Sequence, residues 1–122
     1  MNGIKYFVDT NCFIYLLNEN PLLIPFAKEN WAFSYITEIE LLSKNAIDEN
    51  EDLLIRAMLS TCYKLDHNQQ ISDLAIKLKR ANNIKLPDAI IAASAQLLKL
   101  PLLTADKGFS AIINVDCIIL NL

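Results

Sequence analysis

The chain has 122 residues, 53% of them hydrophobic and 20% charged, which is the length of one domain with a self-sufficient core and excludes a disordered chain. Two glycines and four prolines exclude collagen-like, linker-rich and many-turned all-β chains. A net charge of −3, from 14 acids against 11 bases, argues by itself against a nucleic-acid partner.

Ile4 to Val8 (IKYFV) is a short β-rich run and predicts a strand. Asp9-Thr10-Asn11 punctuates it, and Cys12 to Asn18 reads as a helix. Pro21 and Pro25 bracket a second short helix ending near Asn30, and Trp31 to Ile36 (WAFSYI) predicts a second strand. Thr37 opens a helix through about Ile47. The acids of Asp48 to Asp52 fit a turn and the first turn of a helix running to about Cys62, where they complement the helix dipole. Tyr63 to Leu65 is a strand candidate. Ile71, Leu74, Ala75 and Leu78 have helical spacing within 68–82. Pro87 opens an apolar helix through Leu98, and PLLTA (101–105) and CIIL (117–120) read as buried strands.

Short apolar strands alternating with helices predict a single α/β domain over 1–122, its parallel sheet covered on both faces. Ligands of such sheets bind beyond the carboxyl ends of the strands. Four acids map there: Asp9 after the first strand, Glu40 one turn into the helix after the second, Asp88 after Pro87, and Asp106 after PLLTA. Each has an ordinary structural role open to it. Asp9 and Asn11 can cap a helix, Thr37 and Glu40 match a capping box, Asp88 suits a helix start, and Asp106 suits a turn before Gly108. Their joint placement adds a second meaning. Two carboxylates about 6 Å apart repel by roughly 3 kcal/mol at an effective dielectric of 20. Four facing one pocket call for protons or a cation. Oxygen-only ligands suit Mg²⁺ or Mn²⁺ and metal-assisted phosphoryl chemistry. Bound divalent ions would also offset the acidic net charge, so a polyanionic partner stays open.

The segments FVDTN, SYITEIELL and KLPDAIIAASAQLLKLPLLTADKGF together resemble a PIN-domain ribonuclease, and among these the VapC-type toxins of bacterial toxin–antitoxin pairs. The resemblance runs from Phe7 to Phe109. It implies a Rossmann-like α/β/α sandwich with a mostly parallel sheet. It implies that Asp9, Glu40, Asp88 and Asp106 are catalytic and hold one or two Mg²⁺ or Mn²⁺ ions, with Asn11 (and Thr10) and Thr104 in support and Glu38 facing solvent. The implied activity is hydrolysis of RNA phosphodiester bonds to a 5′-phosphate and a 3′-hydroxyl. The implied partners are an antitoxin protein and a second copy of the chain in a homodimer. Many relatives carry a further acid where this chain has Gly108, which puts a second metal in question.

Other chemistries lack their residues. His67 is the lone histidine, so no His–His pair exists, and no G-x-S-x-G elbow or phosphate-cradling glycine loop is present. Response-regulator receivers need paired acids where Asp9-Thr10 stands, and D-x-D phosphatases need an acid at Asn11. An inactive PIN-like partner-binding module remains the main alternative. Lys77, Lys79, Arg80 and Lys85 form a basic stretch, readable as a solvated helix face or as RNA phosphate contacts leading to Asp88. Leu53, Leu54, Ala57, Met58 and the Pro21–Phe26 segment exceed what a small core absorbs and suit a partner surface.

No run of 18 residues is free of charge and strong polarity, and Ala89 to Leu98 is too short to span a bilayer, so no membrane segment is expected. MNGIKYFVD has no long apolar core of a signal peptide. Cys12, Cys62 and Cys117, odd in number and without C-x-x-C spacing, read as reduced thiols of a cytoplasmic protein.

Overall fold

Five strands, β1 (Ile4–Val8), β2 (Asn30–Ser34), β3 (Tyr63–Leu65), β4 (Leu102–Thr104) and β5 (Cys117–Ile119), form one sheet in the order β3-β2-β1-β4-β5. Every neighbouring pair is parallel. The computed structural model describes residues 3–112 and 114–121. Six α-helices accompany the strands among these residues: α1 (Thr10–Leu17), α2 (Ile24–Ala27), α3 (Tyr35–Leu42), α4 (Glu49–Ser60), α5 (Gln69–Ala81) and α6 (Leu86–Leu98). Short 3₁₀ turns cover Pro21–Leu23 and Lys107–Ala111.

The layering follows from the alternation of side chains along a strand. Phe7, Ala32 and Leu102 join one core, with Leu78 of α5, Ile91 of α6 and Phe109. Their neighbours Val8, Phe33 and Leu103 join the other, with Phe13 of α1, Leu41 of α3, and Ile55 and Leu59 of α4. Strands apolar on both faces must be covered twice, which makes the three-layer sandwich. In the second core Phe13 stands edge-on to Trp31 and Phe33, at centroid distances of 5.4 and 5.7 Å. Phe13 is fully buried. Phe13→Ala should destabilise the fold by about 3–5 kcal/mol in denaturant unfolding, and a loss below about 1 kcal/mol would show that this core collapses to fill the gap.

The sheet order contains a reversal. From β1 the chain steps to β2 and β3, then returns through α5 and α6 to β4 on the other side of β1. The connection after β1 packs on one face and the turn after β4 on the other. The carboxyl ends of β1 and β4 therefore flank the crevice where such sheets take ligands.

Several boundaries differ from expectation, and the second short helix already ends at Ala27 rather than near Asn30. The second strand stops at Ser34, not Ile36, because Ser34 Oγ accepts from the Ile36 amide at 3.2 Å and caps α3. Thr37 is therefore inside the helix and buried, and the capping box with Glu40 does not form. The helix also ends at Leu42 rather than near Ile47, and Ala46 beyond it takes a left-handed φ of 63°. Likewise α1 starts at Thr10, before Cys12, since Asp9 caps it.

Among the described residues no helix is long and apolar enough to cross a membrane.

Candidate active site

Asp9 ends β1 and is only 6% exposed. Its Oδ1 accepts from the Thr10 amide at 2.8 Å and its Oδ2 from Thr104 Oγ1 at 2.7 Å. Thr104 closes β4, and its hydroxyl oxygen in turn accepts from the Asp106 amide at 3.0 Å. The other branch runs through the Thr10 hydroxyl, which donates to Glu40 Oε1 at 2.7 Å. Thr37 Oγ1 lies 2.9 Å from Thr10 Oγ1 and is left as the donor of that pair. A continuous hydrogen-bonded string thus links β1, α3 and β4, and fixes Glu40, Asp9 and the Asp106 backbone relative to one another.

Asp88 joins the cluster through its field. It stands in the first turn of α6, half-buried, where the helix dipole favours an anion. Burial nonetheless raises its pKa above the usual carboxylate range, Asp106 and Glu40 add to the rise, and Lys85 opposes it. Asp9 is pushed up to about 6, first by burial and further by Asp88 and Asp106, against the hydrogen bonds from Thr104 and Thr10. The four predicted acids are thus gathered at one edge. None takes part in the ion pairs of the described residues, which join Arg56 to Asp52 and Lys64 to Glu38 and Asp66.

An all-oxygen, uncompensated set of this kind fits a hard divalent cation. Among the described residues, however, no group of three or more aspartate, glutamate, histidine or cysteine side chains is arranged to hold a metal ion. Asp9 and Asp106 keep their structural bonds as well: Asp106 Oδ1 accepts from the Gly108 amide at 2.8 Å.

The supporting residues fall out differently from one another. Thr104 is fully buried and bonded to Asp9. Asn11 is exposed and makes no side-chain hydrogen bond among the described residues. Thr10 and Thr37 carry the string instead. Sequence reading had no role for Thr37 beyond a cap, although it lies three residues before Glu40 and so on the same helix face. Thr104→Val keeps the shape but strips Asp9 Oδ2 and the Asp106 amide of their shared partner. It should cost about 1–3 kcal/mol in denaturant unfolding and weaken Mn²⁺ binding. Unchanged stability and affinity would show that the string is incidental.

The four bases do not act as one patch. Lys85 lines an open concavity of about 190 Å³ together with Asp88 and Asp106. Lys79 Nζ donates to the Ile84 carbonyl at 2.8 Å. Lys77 lines a separate concavity beside Leu74 and Asn82, and Arg80 is exposed. His67 Nε2 lies 2.6 Å from Ser72 Oγ, in the loop before α5, and its ring stands edge-on to Tyr35. The three cysteines are free thiols, and burial pushes Cys12 up to about 12, far from thiolate chemistry.

Residues 6–114 match the model of the PIN domain family, and the chain belongs to that family. Its solved neighbours include chains of toxin–antitoxin assemblies. A chain of a toxin–antitoxin complex from Klebsiella pneumoniae is 31% identical, with a TM-score of 0.80 over 91% of this chain and 95% of that one. A chain of VapBC-1 from nontypeable Haemophilus influenzae is 26% identical, with a TM-score of 0.78 over 95% and 97%. A chain of VapBC2 from Rickettsia felis, bound to a DNA fragment from their promoter, has the same fold at 23% identity, with a TM-score of 0.80 over 97% and 99%. No curated protein matches this chain.

Proposed function

We propose that the protein is a divalent-metal-dependent endoribonuclease that hydrolyses RNA phosphodiester bonds and acts as the toxin of a toxin–antitoxin pair. The observation that supports this most is the uncompensated carboxylate cluster at the sheet's switch point, in a chain of the PIN-domain family. Asp9, Glu40, Asp88 and Asp106 would hold Mg²⁺ or Mn²⁺. When bound, such an ion polarises the scissile phosphate and lowers the pKa of an attacking water. The chain's own residues supply position. Thr104 and the Thr10 amide fix both oxygens of Asp9, and the Thr10 hydroxyl turns Glu40 toward the cluster. Asp88 and Asp106 stand at the mouth of the concavity, where a phosphate can approach from solvent.

The toxin reading draws on the Klebsiella pneumoniae and Haemophilus influenzae neighbours. It also draws on apolar surface. Ile24, Leu53 and Leu54 are each more than half exposed, which suits an antitoxin or a second copy of the chain. Gly108, standing where many relatives carry an acid, favours a second reading, an inactive module that only binds partners.

Incubation with mixed RNA in Mg²⁺ or Mn²⁺, and then with EDTA, tests the proposal. Cleavage that EDTA abolishes is expected. No cleavage with either metal would leave the partner-binding module, and cleavage that survives EDTA would remove the metal from the account.

A further inference from the structure

The concavity beside the acids is lined by more than the acids. Asp88 and Asp106 line one part, and Asn83, Ile84, Lys85 and Phe109 line the rest. We propose that this remainder is the seat of a single unstacked nucleotide of the substrate strand, with Lys85 on a phosphate and Asn83 on the base edge. The inference rests on the nuclease reading and names the residues of this chain that would seat the strand beside the acids.

Four observations carry it. The volume, about 190 Å³, is below the roughly 300 Å³ of pockets that enclose whole drug-sized ligands. It takes one base or one sugar-phosphate, and a paired, stacked base cannot enter it. The lining combines the half-buried apolar side chain of Ile84 with polar groups, over a floor formed by the buried Phe109. Asn83 is exposed and makes no side-chain hydrogen bond among the described residues, so its amide offers both a donor and an acceptor. Lys85 alone of the four bases lines this space, and α6 opens at Lys85 without a side-chain cap, so its first-turn dipoles add to the ammonium charge.

Two further residues shape the seat. Lys79 is tied to the Ile84 carbonyl and holds the loop that carries Asn83 and Lys85. Gly108 lets its amide reach Asp106 Oδ1 at 2.8 Å, since a Cβ there would press on that oxygen at 3.1 Å.

The test is equilibrium binding of labelled single-stranded RNA, with Ca²⁺ replacing Mg²⁺, at several salt concentrations. Lys85→Ala should weaken binding about tenfold and reduce the salt slope by roughly 0.7, the share of one phosphate contact, while Lys85→Arg restores most of both. Asn83→Ala should change the preference among oligonucleotides differing at one base by about fivefold or more. Arg80→Ala should bind as the parent does, and a duplex of the same sequence should bind at least about tenfold more weakly. Lys85→Ala indistinguishable from the parent, or Arg80→Ala equally impaired, would overturn the seat even if the protein cleaves RNA. Lys85-dependent binding without cleavage in Mg²⁺ or Mn²⁺ would keep the seat and remove the nuclease.

Discussion

Asp9→Asn will reduce RNA cleavage by about a thousandfold or more while making the metal-free protein more stable at neutral pH. Both effects come from one charge. Asn keeps the shape, its Oδ1 can still accept from the Thr10 amide, and its Nδ2 can donate to Thr104 Oγ1. What disappears is a carboxylate that burial and the neighbouring Asp88 and Asp106 make costly to ionise. Cleavage rate and urea midpoint, measured on the same preparation, check the two halves. An active Asp9→Asn would mean the site lies elsewhere. An inactive but less stable one would mean that the Asp9 charge is already balanced in the fold.

The second large effect is a dependence of stability on pH that metal removes. Asp9 titrates at about 6 in the fold against 3.8 for an ordinary aspartate. The folded chain therefore holds a proton that the unfolded chain has already released. The contribution of Asp9 to stability is greatest below about pH 4, falls as the pH rises through 6, and is then flat. A shift of this size corresponds to about 3 kcal/mol. Asp88 shifts in the same direction, by burial and by Asp106 and Glu40, and adds to the fall. Mn²⁺ binds the ionised carboxylates, so saturating metal should restore stability at pH 7–8, by about 2.7 kcal/mol at a hundredfold excess over Kd. Subtracting the Asp9→Asn curve from the parent curve in EDTA isolates the contribution of this one group. Parent-minus-variant stability should fall by about 3 kcal/mol from pH 4 to pH 7, and a value that rises toward neutral pH would reverse the sign argued here.

Much of this arrangement is legible in the sequence because strand ends are. IKYFV closes on Asp9 and PLLTA on Thr104, and a parallel sheet brings such ends to one edge. Helix α5 is equally readable, since Ile71, Ala75 and Leu78 keep a strict apolar face between Asn68 and Asn82. The failures lie where a local bond outweighs pattern. WAFSYI has the composition of one strand, but the Ser34 hydroxyl captures an amide two residues on and turns the chain into α3. That shift moves Thr37 from a cap to a buried position, where it supports Thr10 and through it Glu40.

The basic stretch shows the other limit. Charges are visible in a sequence, but their destinations are not. Lys79 spends its ammonium on a carbonyl of its own chain, while Lys85, six residues on, faces the same open space as Asp88. Asn11 and Thr10 are adjacent letters, yet one is exposed and the other bridges two elements.

Anomalous scattering from crystals soaked in Mn²⁺ bears most directly on all of this. The account predicts a peak within coordination distance of Asp9 and Asp88 oxygens, bordered by Glu40 and Asp106. A peak at some other group of side chains, or none at saturating Mn²⁺, would contradict it.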